Sequence, residues 1–366
     1  MKETLAEKEN HSRSSVREPG VELLRILAMA MVITLHYLGK GGFLTGAEKA
    51  WAGADYLAWF LEAFCVVAVD VYVLISGYFL VDASFRPKKL LKLWAQIFFY
   101  SVGVPAVLLC TGILPVGEVY LERLITWCLP VLREHYWFAT AYVVLYLFAP
   151  FLGQAVRRLS KKQFGQLLAL LLLLFSVSKS VLPVDLPMDT GGYDALWFLC
   201  LFLVAAYLRL YGIPFFGGRG RSALIYLACS VLSFGLLCAY RLVYAHTGKL
   251  SGFLTSPYQY NHILCLTSAA ALFLVFRELK IPQGKRTAGI TKVASCTFGI
   301  YLLHENEALR YLWPGWLFAE KLRGTCGLVF GILAAVVFWY VIGILVEFIR
   351  QWIFGQIFRA GKRKQP

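Results

Sequence analysis

Long apolar stretches separated by short polar segments dominate the chain. A transmembrane helix needs about 20 mostly apolar residues. Stretches of this kind lie at 21–39, 57–80, 91–112, 136–153, 166–182, 193–211, 222–244, 260–276, 288–303 and 326–349. The pattern predicts an all-α, polytopic integral membrane protein with about ten transmembrane helices. Charges and prolines interrupt the apolar patches of 114–135, so this segment is predicted to be interfacial or re-entrant.

The distribution of basic residues predicts the orientation of these helices. Ten spans leave both termini on one side of the membrane. The connections on that side carry 25 Lys and Arg residues, and the alternate connections carry 10. Basic residues concentrate in cytoplasmic loops, so both termini are predicted to be cytoplasmic. The predicted organisation is an N-terminal cytoplasmic tail (1–20), a ten-helix domain (21–350) and a basic cytoplasmic C-terminal tail (351–366).

Composition supports the membrane interpretation. Of the 366 residues, 59% are hydrophobic and 16% are charged, against roughly 45–50% and about 25% in soluble domains. A large soluble or disordered domain is therefore excluded. The net charge of +15 follows the cytoplasmic connections, so no nucleic acid is expected as a partner. The first apolar run carries Arg25 and lacks a small-residue cleavage site, which indicates a retained span and not a signal peptide.

The first predicted helix carries three ionisable residues on one face. Eleven residues separate Arg25 from His36, which is three helical turns plus roughly 20° and about 16 Å. Glu22 precedes Arg25 by three residues and shares its face, so the two side chains can pair. A charge inside the membrane is costly and is a functional candidate by default. The alternative is an arginine that snorkels to the headgroups and a histidine at the opposite interface.

Other polar residues are predicted to converge on the same interior. Asp70 lies near the middle of the second span, followed by Ser76 and by Gly77, which permits close helix approach. Asp70 could instead join two helices by hydrogen bonding. The histidines other than that in the N-terminal tail lie near predicted outer membrane ends, which indicates a polar cavity that opens outward: His36, His135, His246, His262 and His304.

Two further features concern phosphate and metal binding. Lys89 and Lys92 share a helical face at the start of the third span and could bind phosphates. The alternative is the ordinary positive-inside signal together with contact to anionic lipids, which these residues alone favour. The nine cysteines lack C-x-x-C spacing and are predicted to be small buried apolar residues, so no metal site is expected. Sequence motifs of ATPases, zinc proteases and α/β-hydrolases do not occur.

Four segments, in order along the chain, resemble signature blocks of the type-3 membrane acyltransferase family. They are Arg25-x10-His36 preceded by Glu22, the block from Asp70 through Ser76-Gly77-Tyr78, His135-Tyr-Trp137-Phe138, and the Thr297–His304 block ending in Tyr301-Leu-Leu-His304. The resemblance extends over 22–306. Family members often carry arginines where this chain has Lys89 and Lys92. Many also carry a hydrolase-like domain, which is expected here on a separate chain, because about 17 residues follow the last span.

The resemblance implies transfer of an acyl group, commonly acetyl, from cytoplasmic acyl-CoA to a hydroxyl of an extracytoplasmic glycan or cell-envelope molecule. Acyl-CoA would be a co-substrate, with no bound cofactor. His36 would act as general base or acyl carrier. Glu22 would orient Arg25, and Arg25, Lys89 and Lys92 would bind CoA phosphates. The remaining residues expected to line the site are Asp70, Ser76, Trp137 and His304.

The expected location is a cell membrane, in the manner of a bacterial cytoplasmic membrane. Two other functions remain open at this stage. A transporter or flippase would use the same polar residues as a substrate or proton path. A membrane sensor or scaffold would instead bind envelope-assembly proteins.

Overall fold

A computed structural model describes residues 18–46, 48–182 and 189–363, with side chains as far as residue 356. Regular structure in these ranges is entirely helical, which confirms the all-α prediction. In chain order the α-helices are α1 Pro19–Lys40, α2 Gly53–Cys65, α3 Ala68–Leu80, α4 Pro87–Cys110, α5 Leu121–Cys128, α6 Trp137–Arg158, α7 Lys161–Leu172, α8 Ser178–Val181, α9 Ala195–Tyr211, α10 Arg219–Thr247, α11 Ile263–Arg277, α12 Lys285–Ala294, α13 Thr297–His304, α14 Trp313–Trp316 and α15 Thr325–Arg363.

Eight helical stretches within the described ranges are long and apolar enough to cross a membrane. They are Pro19–Lys40, Gly53–Leu80, Pro87–Cys110, Trp137–Arg158, Lys161–Val181, Arg219–Thr247, Ser251–Arg277 and Thr325–Gln356. Two predicted spans are not among them: α9 has only 17 residues, and 288–303 is divided between α12 and α13. A multi-pass membrane protein is thus supported, whereas the count of ten and the orientation of the termini remain predictions.

The segments at the edges of the predicted spans differ in several places from a simple series of crossings. Segment 114–135 contains a 3₁₀ turn at Val116–Glu118 and the eight-residue helix α5, both too short to span. At the C-terminus, α15 continues beyond the predicted boundary at 350 as far as Arg363. Of the predicted tails, 1–17 and 364–366 lie outside the described residues.

The break between α12 and α13 has a local cause in the sequence. The hydroxyl of Ser295 donates to the carbonyl of Lys292 at 2.7 Å, and that of Thr297 donates to the carbonyl of Ala294 at 2.9 Å. Hydroxyl groups that bond to nearby carbonyls compete with the helical ladder. The predicted span at 288–303 is therefore two short helices.

Helix α1 lies at the centre of the bundle. It packs against α2, α3, α11, α12, α13 and α15. Helix α3 contacts α1, α6, α9 and α11, and its residues from Ala68 to Tyr78 are mostly buried. The two helices that carry most of the predicted site residues are therefore the ones most enclosed by other helices.

The outer helices present apolar side chains to the surroundings. On α15 an exposed stripe repeats at helical spacing: Phe330, Leu333, Val337 and Val341. An apolar face of this kind is suited to lipid contact. Cysteines also occur on such surfaces, since Cys110, Cys128 and Cys326 are exposed although all nine were predicted to be buried. All nine are unpaired, three of them buried and three half-buried.

Gly77 brings α3 and α9 into close contact. A Cβ atom at this position would lie 2.9 Å from the Cβ of Ala205 and 3.1 Å from the Cα of Phe202. Neither neighbour can move without shifting α9 because one contact is to its backbone. The close helix approach predicted from Ser76-Gly77 is therefore observed, between α3 and α9.

We predict that Gly77→Ala destabilises the protein by about 1–3 kcal/mol, the usual effect of overpacking a dense interior. Gly103→Ala is the matched control, since a Cβ at Gly103 of α4 meets no atom within 4 Å. That change should leave stability equal or raise it by up to about 1 kcal/mol. Thermal unfolding of the detergent-solubilised variants measures both effects. Equal midpoints for the two variants would contradict the packing argument.

Candidate functional site

His36 lines a cavity of about 370 Å³ in the interior of the bundle. Helices α1, α2, α3, α6 and α13 contribute to its wall, together with the loops around Tyr193 and Tyr258. Its polar and aromatic lining includes His36, Lys40, Glu62, Trp137, Tyr193, Tyr260, Tyr301 and Glu305. We call it the His36 cavity. The predicted placement of Trp137 beside this cavity agrees with the structure.

A chain of hydrogen bonds holds the His36 imidazole from behind. Its Nδ1 lies 2.9 Å from Nε2 of His304, and Nδ1 of His304 lies 2.6 Å from the carbonyl oxygen of Ile300. A carbonyl only accepts, so Nδ1 of His304 carries a proton, and Nε2 of a neutral His304 is an acceptor. His36 then donates from Nδ1. Its Nε2 is left unprotonated, the form that a base requires.

Glu305 supports the same arrangement from a second side. Its Oε2 lies 3.2 Å from Nδ1 of His36. The carboxylate is buried and is also paired with Lys40 and, at 3.5 Å, with Arg310. A carboxylate near Nδ1 favours the proton on that nitrogen. Both partners of Nδ1 therefore select the same tautomer of His36.

His304 is fully buried and belongs to the support of the site, not to its surface. Its ring lies 5.7 Å from that of Trp339 and 6.2 Å from those of Trp313 and Tyr301. It is not among the residues that line the His36 cavity. The prediction that His304 lines the site is corrected to a position one hydrogen bond behind His36, because Phe298 and Tyr301 face the cavity from α13 whereas His304 packs against Trp313 and Trp339.

Arg25 lines a second cavity, of about 470 Å³, toward the N-terminal end of α1. Glu22 and Ser76 are part of its lining, as predicted, together with Ser295 and Thr297 from the break between α12 and α13. Nε of Arg25 lies 3.8 Å from Oε1 of Glu22, so the predicted pairing occurs. We call this the Arg25 cavity.

Three aromatic side chains separate the two cavities. Tyr72, Phe138 and Phe298 line both of them. The Tyr72 hydroxyl donates to the carbonyl oxygen of Arg25 at 2.7 Å, which attaches α3 to α1 at this level. The predicted common interior therefore consists of two cavities along one face of α1, with aromatic rings between them.

Asp70 does not line either cavity. It is fully buried, and its Oδ1 accepts a hydrogen bond from Nε1 of Trp197 at 3.1 Å, while Oδ2 lies 3.9 Å from Sγ of Cys265. These contacts join α3 to α9 and α11. The structure thus favours the helix-joining alternative over a place in the cavity, because the Asp70 side chain points from α3 toward those two helices.

The predicted phosphate-binding lysines lie outside the Arg25 cavity. Lys89 is exposed and lines neither the His36 cavity nor the Arg25 cavity. Lys92 lines a shallow cleft with Gln96 and Arg350, and Leu93 borders both this cleft and the Arg25 cavity. Only Lys92 therefore lies next to the cavity that contains Arg25.

His135 is buried and acts as a structural link. Its Nδ1 lies 3.1 Å from the Ser101 hydroxyl, and its Nε2 accepts from the backbone amide of Glu307 at 3.4 Å. Burial lowers the pKa of His135 to about 3, so the ring is neutral at physiological pH. In the block His135–Phe138, only Trp137 and Phe138 reach the cavities.

Four residues of the His36 cavity were not among the predicted site residues: Lys40, Glu62, Tyr301 and Glu305. Glu62 is a charge within a predicted span, and that signal could have identified it. Tyr301 and Glu305 lie in or beside the last signature block. The phenol O–H of Tyr301 has no acceptor among the described residues, although the backbone of Phe138 lies close to its oxygen.

Comparison with known proteins gives one match. The family model of the type-3 acyltransferases, described as an acyltransferase domain, matches residues 18–344. Neither a curated protein nor a solved structure matches the chain.

We predict that Asp70→Ala lowers stability by about 1–3 kcal/mol, because the indole N–H of Trp197 would remain buried without an acceptor. Asp70→Asn keeps an oxygen at this position, so its unfolding temperature should be close to that of wild type. Thermal unfolding in detergent distinguishes the two variants. If Asp70→Ala retained full stability but lost activity, Asp70 would belong to the site after all.

Proposed function

The chain belongs to the type-3 acyltransferase family, and from that premise we propose that it is a membrane O-acyltransferase. It would transfer an acyl group, commonly acetyl, from cytoplasmic acyl-CoA to a hydroxyl of an extracytoplasmic glycan or cell-envelope molecule. The observation that carries this proposal is the tautomer of His36. Its Nδ1 has two buried partners, His304 and Glu305, and its Nε2 remains available as a base.

In the proposed reaction, Nε2 of His36 removes the proton of the acceptor hydroxyl as that oxygen attacks the thioester carbonyl. A carbon–oxygen bond forms, the carbon–sulfur bond breaks, and the CoA thiolate leaves and takes up the proton. A second route begins with attack by His36 itself, followed by transfer of the acyl group to the hydroxyl. Both routes require an unprotonated Nε2.

Two groups of the His36 cavity are suited to the charge that develops on the thioester oxygen. The phenol O–H of Tyr301 donates to no acceptor among the described residues. Lys40 brings a positive charge to the same cavity, although it is paired with Glu305. Donors that are already in place stabilise an oxyanion effectively in a site that excludes water.

We propose that the donor enters through the Arg25 cavity. The guanidinium of Arg25, oriented by Glu22, would bind a phosphate or the polar pantetheine arm of acyl-CoA. The adjacent cleft with Lys92 and Arg350 would receive the nucleotide phosphates. Lys89 has no part in this proposal because it lies outside both places. The asymmetry in basic residues supports a cytoplasmic position for this end and location in a bacterial cytoplasmic membrane.

We predict that His36→Ala lowers the rate of acyl transfer by about 100-fold or more, the lower range for loss of a general base. The measurement is incorporation of labelled acetyl from acetyl-CoA into envelope glycans by membranes that contain the protein. His246→Ala is the matched control because His246 is exposed at the end of α10. Undiminished transfer by His36→Ala would refute the assignment. Solute movement without release of CoA would favour the transporter instead.

We predict that His304→Phe lowers kcat about tenfold and leaves the KM for acetyl-CoA unchanged. The reason is loss of one hydrogen bond to His36, worth about 1.4 kcal/mol, while Glu305 still holds Nδ1. The combination His304→Phe with Glu305→Gln should be slower than either single variant. Steady-state release of CoA measures these rates. A purely structural role would instead lower the amount of folded protein and leave kcat per folded molecule intact.

A further inference from the structure

Glu62 of α2 is an acidic side chain without a partner inside the His36 cavity. Its side chain makes no hydrogen bond or ion pair with any residue that the structure describes, and its Oε2 is inaccessible to solvent. A buried carboxylate is costly unless donors reach it. The other acid of this cavity, Glu305, has Lys40, Arg310 and His36 as partners. The contrast indicates that the partner of Glu62 is a ligand.

Aromatic rings surround this part of the cavity. Trp137 stacks against Tyr260 with centroids 5.8 Å apart and an interplanar angle of 19°. Tyr193 lies 4.7 Å from Trp137 and 4.5 Å from Tyr260. All three rings line the cavity with Glu62. Flat rings beside an acceptor of hydrogen bonds suit a ligand that has both an apolar face and hydroxyl groups.

The charge of the cavity favours a neutral ligand over a cation. Lys40 and Arg310 share one carboxylate partner, Glu305, beside His36, and an acid buried without a partner is most stable in its neutral form. A cationic ligand would therefore add to the positive charge close to His36, whereas a polyhydroxylated ligand brings hydroxyl groups to Glu62 and no charge. The two oxygens of a carboxyl group accept hydrogen bonds, so Glu62 can bind one or two hydroxyls.

We infer that Glu62 binds the acceptor, through a hydroxyl adjacent to the one that is acylated. The substrate class is a ring-shaped polyol such as a sugar, with its apolar face against Trp137 and Tyr260. This inference rests on the proposed function and adds the part of the site that selects the acceptor. Glu62 positions the acceptor, and His36 removes the proton from the reacting hydroxyl.

The test compares two matched acceptors, cis-1,2-cyclohexanediol and cyclohexanol, with acetyl-CoA as donor and release of CoA as the signal. Wild type should prefer the diol by about tenfold in kcat/KM, after correction for its two hydroxyls. Glu62→Ala should abolish this preference, because the second hydroxyl of the diol then has no partner. Glu62→Gln retains an oxygen acceptor and should preserve most of the preference for the diol. The matched control is Glu320→Gln, at an exposed position. The ratio of kcat/KM for the diol to that for cyclohexanol is compared among variants. Partitioning of the two acceptors into detergent therefore affects every variant equally.

A second pair of acceptors tests the cation alternative: choline and its neutral analogue 3,3-dimethyl-1-butanol. Preference for choline that disappears in both Glu62→Ala and Glu62→Gln would overturn the hydroxyl assignment. An unchanged diol preference in Glu62→Ala would overturn it while leaving acyl transfer established. Absence of CoA release with every acceptor would refute the proposed function and this inference together. Transfer to cyclohexanol shows that a variant is folded.

Discussion

The hydrogen bond between His36 and His304 is the interaction on which the site depends. It joins a half-buried imidazole on the central helix to a fully buried one on α13, and the Ile300 carbonyl fixes its direction. Between two neutral imidazoles either ring can donate the hydrogen bond, so the pair alone would not determine which nitrogen of His36 is unprotonated. The carbonyl removes that ambiguity, and Glu305 favours the same proton position from the other side. A single backbone carbonyl thus determines which nitrogen of His36 faces the cavity.

Much of the fold follows from hydropathy and periodicity. A helix places residues eleven apart on one face regardless of what surrounds it, so Arg25, Glu22 and His36 could be assigned to one side of α1 from sequence. The division of 288–303 into α12 and α13 could not be predicted from sequence. The apolar content of this stretch gives no sign that the hydroxyls of Ser295 and Thr297 bond to nearby carbonyl groups. His304 is the last residue of α13, the second of these two helices.

Residues whose roles depend on a neighbouring helix were the ones that sequence reasoning misplaced. Asp70 and Ser76 occupy one helix six residues apart, but Asp70 turns toward Trp197 and Ser76 toward the Arg25 cavity. Their chemistry alone suggested a common site. Lys89 and Lys92 share a face of α4, yet only Lys92 borders a cleft beside that cavity. Which of these side chains faces a cavity depends on how α9, α11 and α15 pack. The periodicity of the sequence does not predict that packing.

The aromatic rings of Tyr72, Phe138 and Phe298 lie at the boundary between the two cavities. A protein that takes one reactant from each face of a bilayer risks becoming a leak for ions and protons. Aromatic rings at such a boundary leave little polar surface for an ion or a chain of water molecules to follow. In the proposed reaction only the uncharged thioester end of the donor has to pass the rings, and the nucleotide and the glycan stay on the sides from which they came.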